Sequence, residues 1–156
     1  MRQIEFWFPS LPKRSLSPNR RVHHMERSDA AHELRADVAT HLLGHEAILG
    51  IKEPLRYSRV SVLWKLTNKR PSIWDCPRCK DWAIEHAKSK RERCMCYRPA
   101  DPFNAIDSLK PFFDGITDAG IWEDDTWEHV EVGRFARQLV GALTDEGLFV
   151  QIEELP

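Results

Sequence analysis

The 156-residue chain has no long hydrophobic run. No apolar stretch approaches the roughly 20 residues needed to cross a bilayer, which excludes a membrane-spanning helix. The opening Met1-Arg2-Gln3-Ile4-Glu5 lacks the apolar core of a secretory signal. The expected address is the cytoplasm, where disulfides are rare. The chain also lacks net charge, at -1 overall. Taken whole, it has none of the basic excess that marks many nucleic-acid binders.

That neutrality conceals an asymmetry. Residues 1–100 carry 20 Lys+Arg against 11 Asp+Glu, and residues 101–156 carry 3 against 13. A basic half can hold phosphates while an acidic half holds a metal. Equally, the two halves can simply neutralise each other. Hydrophobic content of 42% and charged content of 30% suit a soluble globular protein, and the length suits one domain over residues 1–156.

The acidic half is organised around one stretch, Asp101 to Asp125. Asp101 is a good N-cap and Pro102 can occupy a first helical position. Ile106, Leu109, Phe113 and Ile116 recur at helical spacing as a buried stripe. Asp107, Asp114 and Asp118 fall at near-whole-turn intervals, with Lys110 beside them. Pro111 predicts a kink or a fresh helix start, and Gly120 a stop. Beyond it, Asp124 and Asp125 can fold back toward the start of the helix. Asp101, Asp107 and Asp125 would then gather around one hard cation. Such a cation relieves carboxylate repulsion, and oxygen ligands suit Mg²⁺ or Mn²⁺. It would polarise a phosphodiester, with Lys110 offsetting charge on the phosphate. On spacing alone, a capped helix with a solvated acidic face is the commoner arrangement.

Ahead of this stretch, residues 2–8 alternate polar and apolar as a half-buried strand. A proline-punctuated loop follows, carrying Asn19, Arg20, Arg21 and His23, donors suited to phosphate oxygens. Ser28 or Asp29 can cap a helix to about Leu43, with Ala31, Leu34, Val38 and Leu42 as its stripe. Along it, His32, His41 and His45 read as surface or satisfied histidines. Arg56 to Leu66 reads as a strand, Trp127 to Val140 as a strand or strand pair, and Leu148 to Ile152 as a last strand. The order predicts an α+β fold: two main helices on a mixed or antiparallel sheet.

Residues 68–99 form an insertion. Cys76-Pro77-Arg78-Cys79 and Cys94-Met95-Cys96 can close a tetrahedral Zn²⁺ site of four thiolates. A four-thiolate site has no open position, so this zinc is expected to be structural. Between the pairs lies a basic, helix-like segment with Lys88 and Arg91, placed to reach DNA or a partner. Alternatively, the zinc hairpin only stiffens the connection.

Asp101, Asn104, Lys110, Asp114, Ala119-Gly120 and Asp124-Asp125 together resemble the RusA-type Holliday junction resolvases. These are small metal-dependent endonucleases common in phages and prophages. The string Pro18-Asn19-Arg20-Arg21 with His23 is similar to the loop after their first strand. The resemblance spans most of the chain outside the insertion. It implies a RusA-like α+β fold, Mg²⁺-dependent cleavage of branched DNA in recombination and repair, and a homodimer whose two sites cut opposing strands. It implies metal-site roles for Asp101 and Asp125, with Lys110 beside them, and a place for Asn104 at the helix start or on substrate. One departure stands out: the family's second aspartate falls on Phe103, which cannot bind a metal. Either Asp107, one turn away, replaces it, or the chain is a weakened or inactive DNA-binding or assembly module on the same fold.

Overall fold

Alternation in the first strand sets the layers. In a computed structural model of the chain, β1 (Gln3–Phe8) buries Ile4, Phe6 and Phe8 and turns Gln3 and Glu5 to solvent. The structure describes residues 2–13, 16, 23–45, 48, 50–67, 74, 76, 84 and 102–156. After β1 come α1 (His24–Leu43), β2 (Ser58–Thr67), α2 (Pro102–Ser108) and α3 (Lys110–Asp118). The chain closes with β3 (Val130–Val140), a 3₁₀ turn (Leu143–Asp145) and β4 (Gly147–Glu154). This is an α+β arrangement on a four-stranded mixed sheet.

The sheet order is β1-β4-β2-β3. β4, the last strand made, runs antiparallel to both β1 and β2, while β2 and β3 are parallel. A parallel pair needs a long crossover. Here α2 and α3 lie in that crossover, so the acidic stretch is built into the connection that makes the sheet mixed.

One sheet face carries the core. Val60, Val62 and Leu66 of β2 join Leu148, Val150 and Ile152 of β4 beneath the helices. α1 contributes Ala30, Leu34, Val38 and Leu42, and α3 contributes Phe112 and Ile116. The Phe112 ring stacks on Phe6 at 6.3 Å and meets Phe8 edge-on at 5.4 Å. Burying side chains of this size contributes roughly 2 kcal/mol each. Among the described residues, no helix is long and apolar enough to cross a membrane.

Two expectations are corrected, the start of α1 and the core phenylalanine of α3, and two open alternatives are resolved. α1 starts four residues before Ser28, because the His23 ring does the capping: its Nδ1 accepts from the Met25 amide at 3.3 Å. The acidic helix is two helices broken at Leu109, with Pro111 in the first turn of the second. Leu109, Phe112 and Ile116 are fully buried at helical spacing, so Phe112 rather than Phe113 fills the core. Of the strand or strand pair expected over Trp127 to Val140, the structure has the single strand β3. Its first residues form a turn in which the amides of His129 and Val130 both donate to the Thr126 carbonyl, at 2.9 and 2.8 Å.

Candidate functional site

The site begins at the close approach of α1 and α3. A Cβ on Gly115 would lie 2.6 Å from the Arg35 carbonyl oxygen and 2.8 Å from the Val38 Cβ. Only glycine lets the helices meet this closely. The contact brings Arg35 against Asp118 in a bidentate pair, with Nη2 donating to Oδ1 at 2.6 Å and Nε to the other oxygen. Hydrogen bonding to Asp118 holds the Arg35 guanidinium above its ordinary range, and Asp114 and Asp125 add to this through space. The same bond holds the Asp118 carboxyl below the usual carboxylate value.

α3 then stops sharply. Gly120 has φ of 75°, a left-handed conformation that favours glycine. Its amide donates to the Thr117 carbonyl at 2.8 Å. The reversed chain is anchored by Trp122, which is buried and whose Nε1 donates to Thr117 Oγ1 at 2.5 Å. The Leu55 amide donates to the Ile121 carbonyl at 2.7 Å and fixes the outgoing strand-like residues. The acidic turn is therefore held from two sides. Within it, the Asp125 amide donates to Asp124 Oδ1 at 2.8 Å.

This geometry delivers Asp125 back to the first turn of α3. There the Lys110 ammonium donates to both Asp114 and Asp125. Partial burial pulls the lysine down, but the two carboxylate hydrogen bonds outweigh it and leave Lys110 above its ordinary value. Two carboxylates from separate elements thus share one cation. Their oxygen donors are of the type that suits a hard divalent ion. By donor chemistry the pair fits such an ion, and the Lys110 ammonium stands where positive charge is needed. Among the described residues, however, no three His, Cys, Asp or Glu side chains gather as a metal cluster.

Of the residues expected to form the site, Lys110 and Asp125 come together. Asp107 lies exposed on α2, across the Leu109 break from Lys110. Asp101 lies outside the described residues, as do the side chains of Phe103 and Asn104. His23 is described and caps α1; Asn19, Arg20, Arg21, Lys88 and Arg91 lie outside the described residues. Cys76 is buried with the core, and Cys79, Cys94 and Cys96 lie outside the described residues. His41 is satisfied, its Nε2 bonded to the Trp7 carbonyl at 2.8 Å.

Two partners were missed as site residues. Asp114 holds Lys110, and its signal was in the sequence: it follows the lysine by four residues, one helical turn. Arg35 is 83 positions from Asp118, and no local pattern points from one to the other. No protein-family model matches this chain, and no curated protein matches it.

Proposed function

We propose that this chain is a metal-dependent endonuclease that resolves branched DNA, with four-way junctions as substrate. The reading rests on one observation: a lysine at the start of α3 meets an aspartate from the turn beyond that helix. These are the residue types at which the chain resembles the RusA-type resolvases. The α+β fold and mixed sheet are compatible with that resemblance.

In this reading Asp125, together with Asp101 and Asp107, holds Mg²⁺ or Mn²⁺. When bound, such an ion polarises a phosphodiester and lowers the pKa of attacking water. Asp114 keeps Lys110 beside the site, so that its ammonium offsets charge developing on the phosphate. Asp124 fixes the turn through the Asp125 amide. Arg35 secures α3 through Asp118 and keeps the acidic face from opening by self-repulsion. Asn19, Arg20, Arg21 and His23 contact the DNA backbone, Asn104 supports the helix start, and Lys88 and Arg91 of the insertion extend the DNA contact. Cys76, Cys79, Cys94 and Cys96 bind a structural Zn²⁺. The protein acts in the cytoplasm as a homodimer, and two-fold symmetry pairs its two sites across a junction.

One observation favours a second reading. Lys110 already satisfies both nearby carboxylates, and Phe103 stands at the family's aspartate position. The chain would then bind or assemble on branched DNA without cutting it.

A synthetic four-way junction separates the two. The endonuclease predicts cleavage that needs Mg²⁺ or Mn²⁺ and is lost in Asp125→Asn. Tight junction binding with no cut product at any concentration of either metal would establish the second reading.

A further inference from the structure

α3 carries its charges in an order that a helix by itself does not favour. Lys110 opens it and Asp118 closes it, with Asp114 between them, each four residues from the next. That spacing puts all three on one face. The macrodipole favours anions at a helix N-terminus and cations at its C-terminus, so both end residues are reversed. Asp114 and Asp118 are also like charges one turn apart, which repel. Local rules broken together mark residues placed for something other than helix stability.

Other elements supply the missing charge, and they do so in two different forms. At the far end, Arg35 of α1 meets Asp118 with its fork: Nη2 donates to Oδ1 at 2.6 Å and Nε to Oδ2. Both carboxylate oxygens are taken. The pair is half exposed, but a bidentate fork is the geometry in which a surface pair holds. The Arg35 backbone is fixed too, because its carbonyl oxygen lies against Gly115 where the helices meet. At the near end, one ammonium serves two carboxylates, and Asp114 and Asp125 each give Lys110 a single oxygen. A guanidinium is a rigid planar fork, whereas an ammonium is a point charge on a flexible stem. The Lys110 side chain is mostly exposed, with room to swing aside. Asp114 and Asp125 act on the Arg35 guanidinium through space, so both ends of the row lie in one field.

We propose that Arg35 is a specificity-determining residue for cation binding: its fork closes Asp118 to metal and confines a divalent ion to the Asp125 end of α3. The inference deepens the nuclease reading and rests on it for the ion at Asp125. An ion arriving there has one ammonium contact to displace, and Asp114 keeps the lysine beside it. At Asp118 it would have to break two parallel hydrogen bonds to a group held in place by the helix contact. Without Arg35, Asp118 would stand uncompensated one turn from Asp114, and two carboxylates so placed attract a hard cation. That second ion would take Asp114 away from Lys110.

The test is Mn²⁺ titration of the full chain by calorimetry. Arg35→Gln removes both the fork and the charge. It is expected to bind one more Mn²⁺ per chain than wild type, and the extra ion is expected to vanish in Arg35→Gln/Asp118→Asn. A purely structural ion pair predicts otherwise: the two variants would lose stability alike, and neither would gain an ion. Arg35→Gln that binds no more Mn²⁺ than wild type overturns the proposal, as does an extra ion that survives Asp118→Asn. Should Arg35→Gln fail to fold, Arg35→Lys carries the same test. It keeps the charge but offers a point donor in place of the fork, so it too is expected to admit the extra ion; wild-type stoichiometry there overturns the proposal. Cleavage is not needed for the readout, and the two readings fail separately. Wild type whose Mn²⁺ binding is indifferent to Asp125→Asn removes the metal site of the nuclease reading, while an extra ion in Arg35→Gln that needs Asp118 still sustains the role of Arg35. Wild type that loses its ion in Asp125→Asn, beside an Arg35→Gln variant of unchanged stoichiometry, does the reverse.

Discussion

Asp125 reaches back across the end of α3 to share the Lys110 ammonium with Asp114. The contact joins the two ends of one short helix. It depends on the Gly120 reversal and the Trp122 anchor, and neither of those touches the lysine itself.

Lys110→Ala separates ion binding from catalysis. Removing the ammonium leaves Asp114 and Asp125 facing each other without their counter-charge, a situation that a divalent cation relieves. Mn²⁺ affinity, measured by calorimetry, is expected to be equal to or tighter than wild type. Junction cleavage is expected to fall by roughly 100-fold or more, the scale on which a positioned transition-state donor acts. A loss of Mn²⁺ affinity equal to the loss of rate would instead make Lys110 a support for the carboxylates.

Gly115→Ala tests the helix contact. The added methyl would stand 2.6 Å from the Arg35 carbonyl oxygen, which is backbone and cannot swing away. Overpacking of this kind costs about 1–3 kcal/mol. Urea unfolding should report that loss. Because Arg35 and Asp118 are displaced together, the variant should also lose the salt sensitivity of their ion pair. Wild-type stability in Gly115→Ala would show that α1 and α3 are not held at this distance.

The acid limb of stability carries a second test. Arg2 joins the start of β1 to Glu154 at the end of β4 by paired hydrogen bonds of 3.0 and 2.7 Å. That bonding lowers the Glu154 carboxyl from its ordinary 4.5 to about 2. A carboxylate lowered on folding stabilises the fold above its unfolded pKa, and the contribution fades as pH falls through the folded one. The Arg2–Glu154 contribution is therefore complete above about pH 4.5 and lost on the way to pH 2. Glu154→Gln should flatten melting temperature against pH across that window, lowering it above about pH 4.5 and changing little near pH 2. An unaltered acid limb would mean that the terminal strands are not tied together by this pair.

Ser58 offers a prediction of opposite sign. Its hydroxyl is fully buried at the start of β2 and has no hydrogen-bond partner among the described residues. A buried unsatisfied polar group costs about 1–3 kcal/mol. Ser58→Ala should be neutral or stabilising by up to about 1 kcal/mol in chemical denaturation. A marked loss of stability would reveal a partner for this hydroxyl.

Much of the fold was legible because it follows local periodicity. Ile4, Phe6 and Phe8 alternate, and Leu34, Val38 and Leu42 repeat at helical spacing; both sets are buried. The break at Leu109 was foreshadowed by Pro111, but Phe112 and Phe113 are adjacent and identical in type, so local pattern did not single out Phe112 as the core residue. The start of α1 was hidden because histidine is an uncommon cap. Strand order was not legible at all. Nothing local tells β4 to insert between β1 and β2, since pairing over this distance is decided by burial of whole faces. The site divides in the same way. Lys110 and Asp114 are one turn apart and readable. Arg35 enters only through the packing of two helices around Gly115.

The central claim is that carboxylates at the two ends of α3 form one cation-binding position. Mn²⁺ added to ¹⁵N-labelled protein tests it most directly, because the ion broadens the amides nearest to it. The account predicts selective broadening at Asp101, Asp107, Lys110, Asp114, Asp124 and Asp125, abolished in Asp125→Asn. Broadening spread over the acidic surface, or centred elsewhere and indifferent to Asp125→Asn, would contradict it.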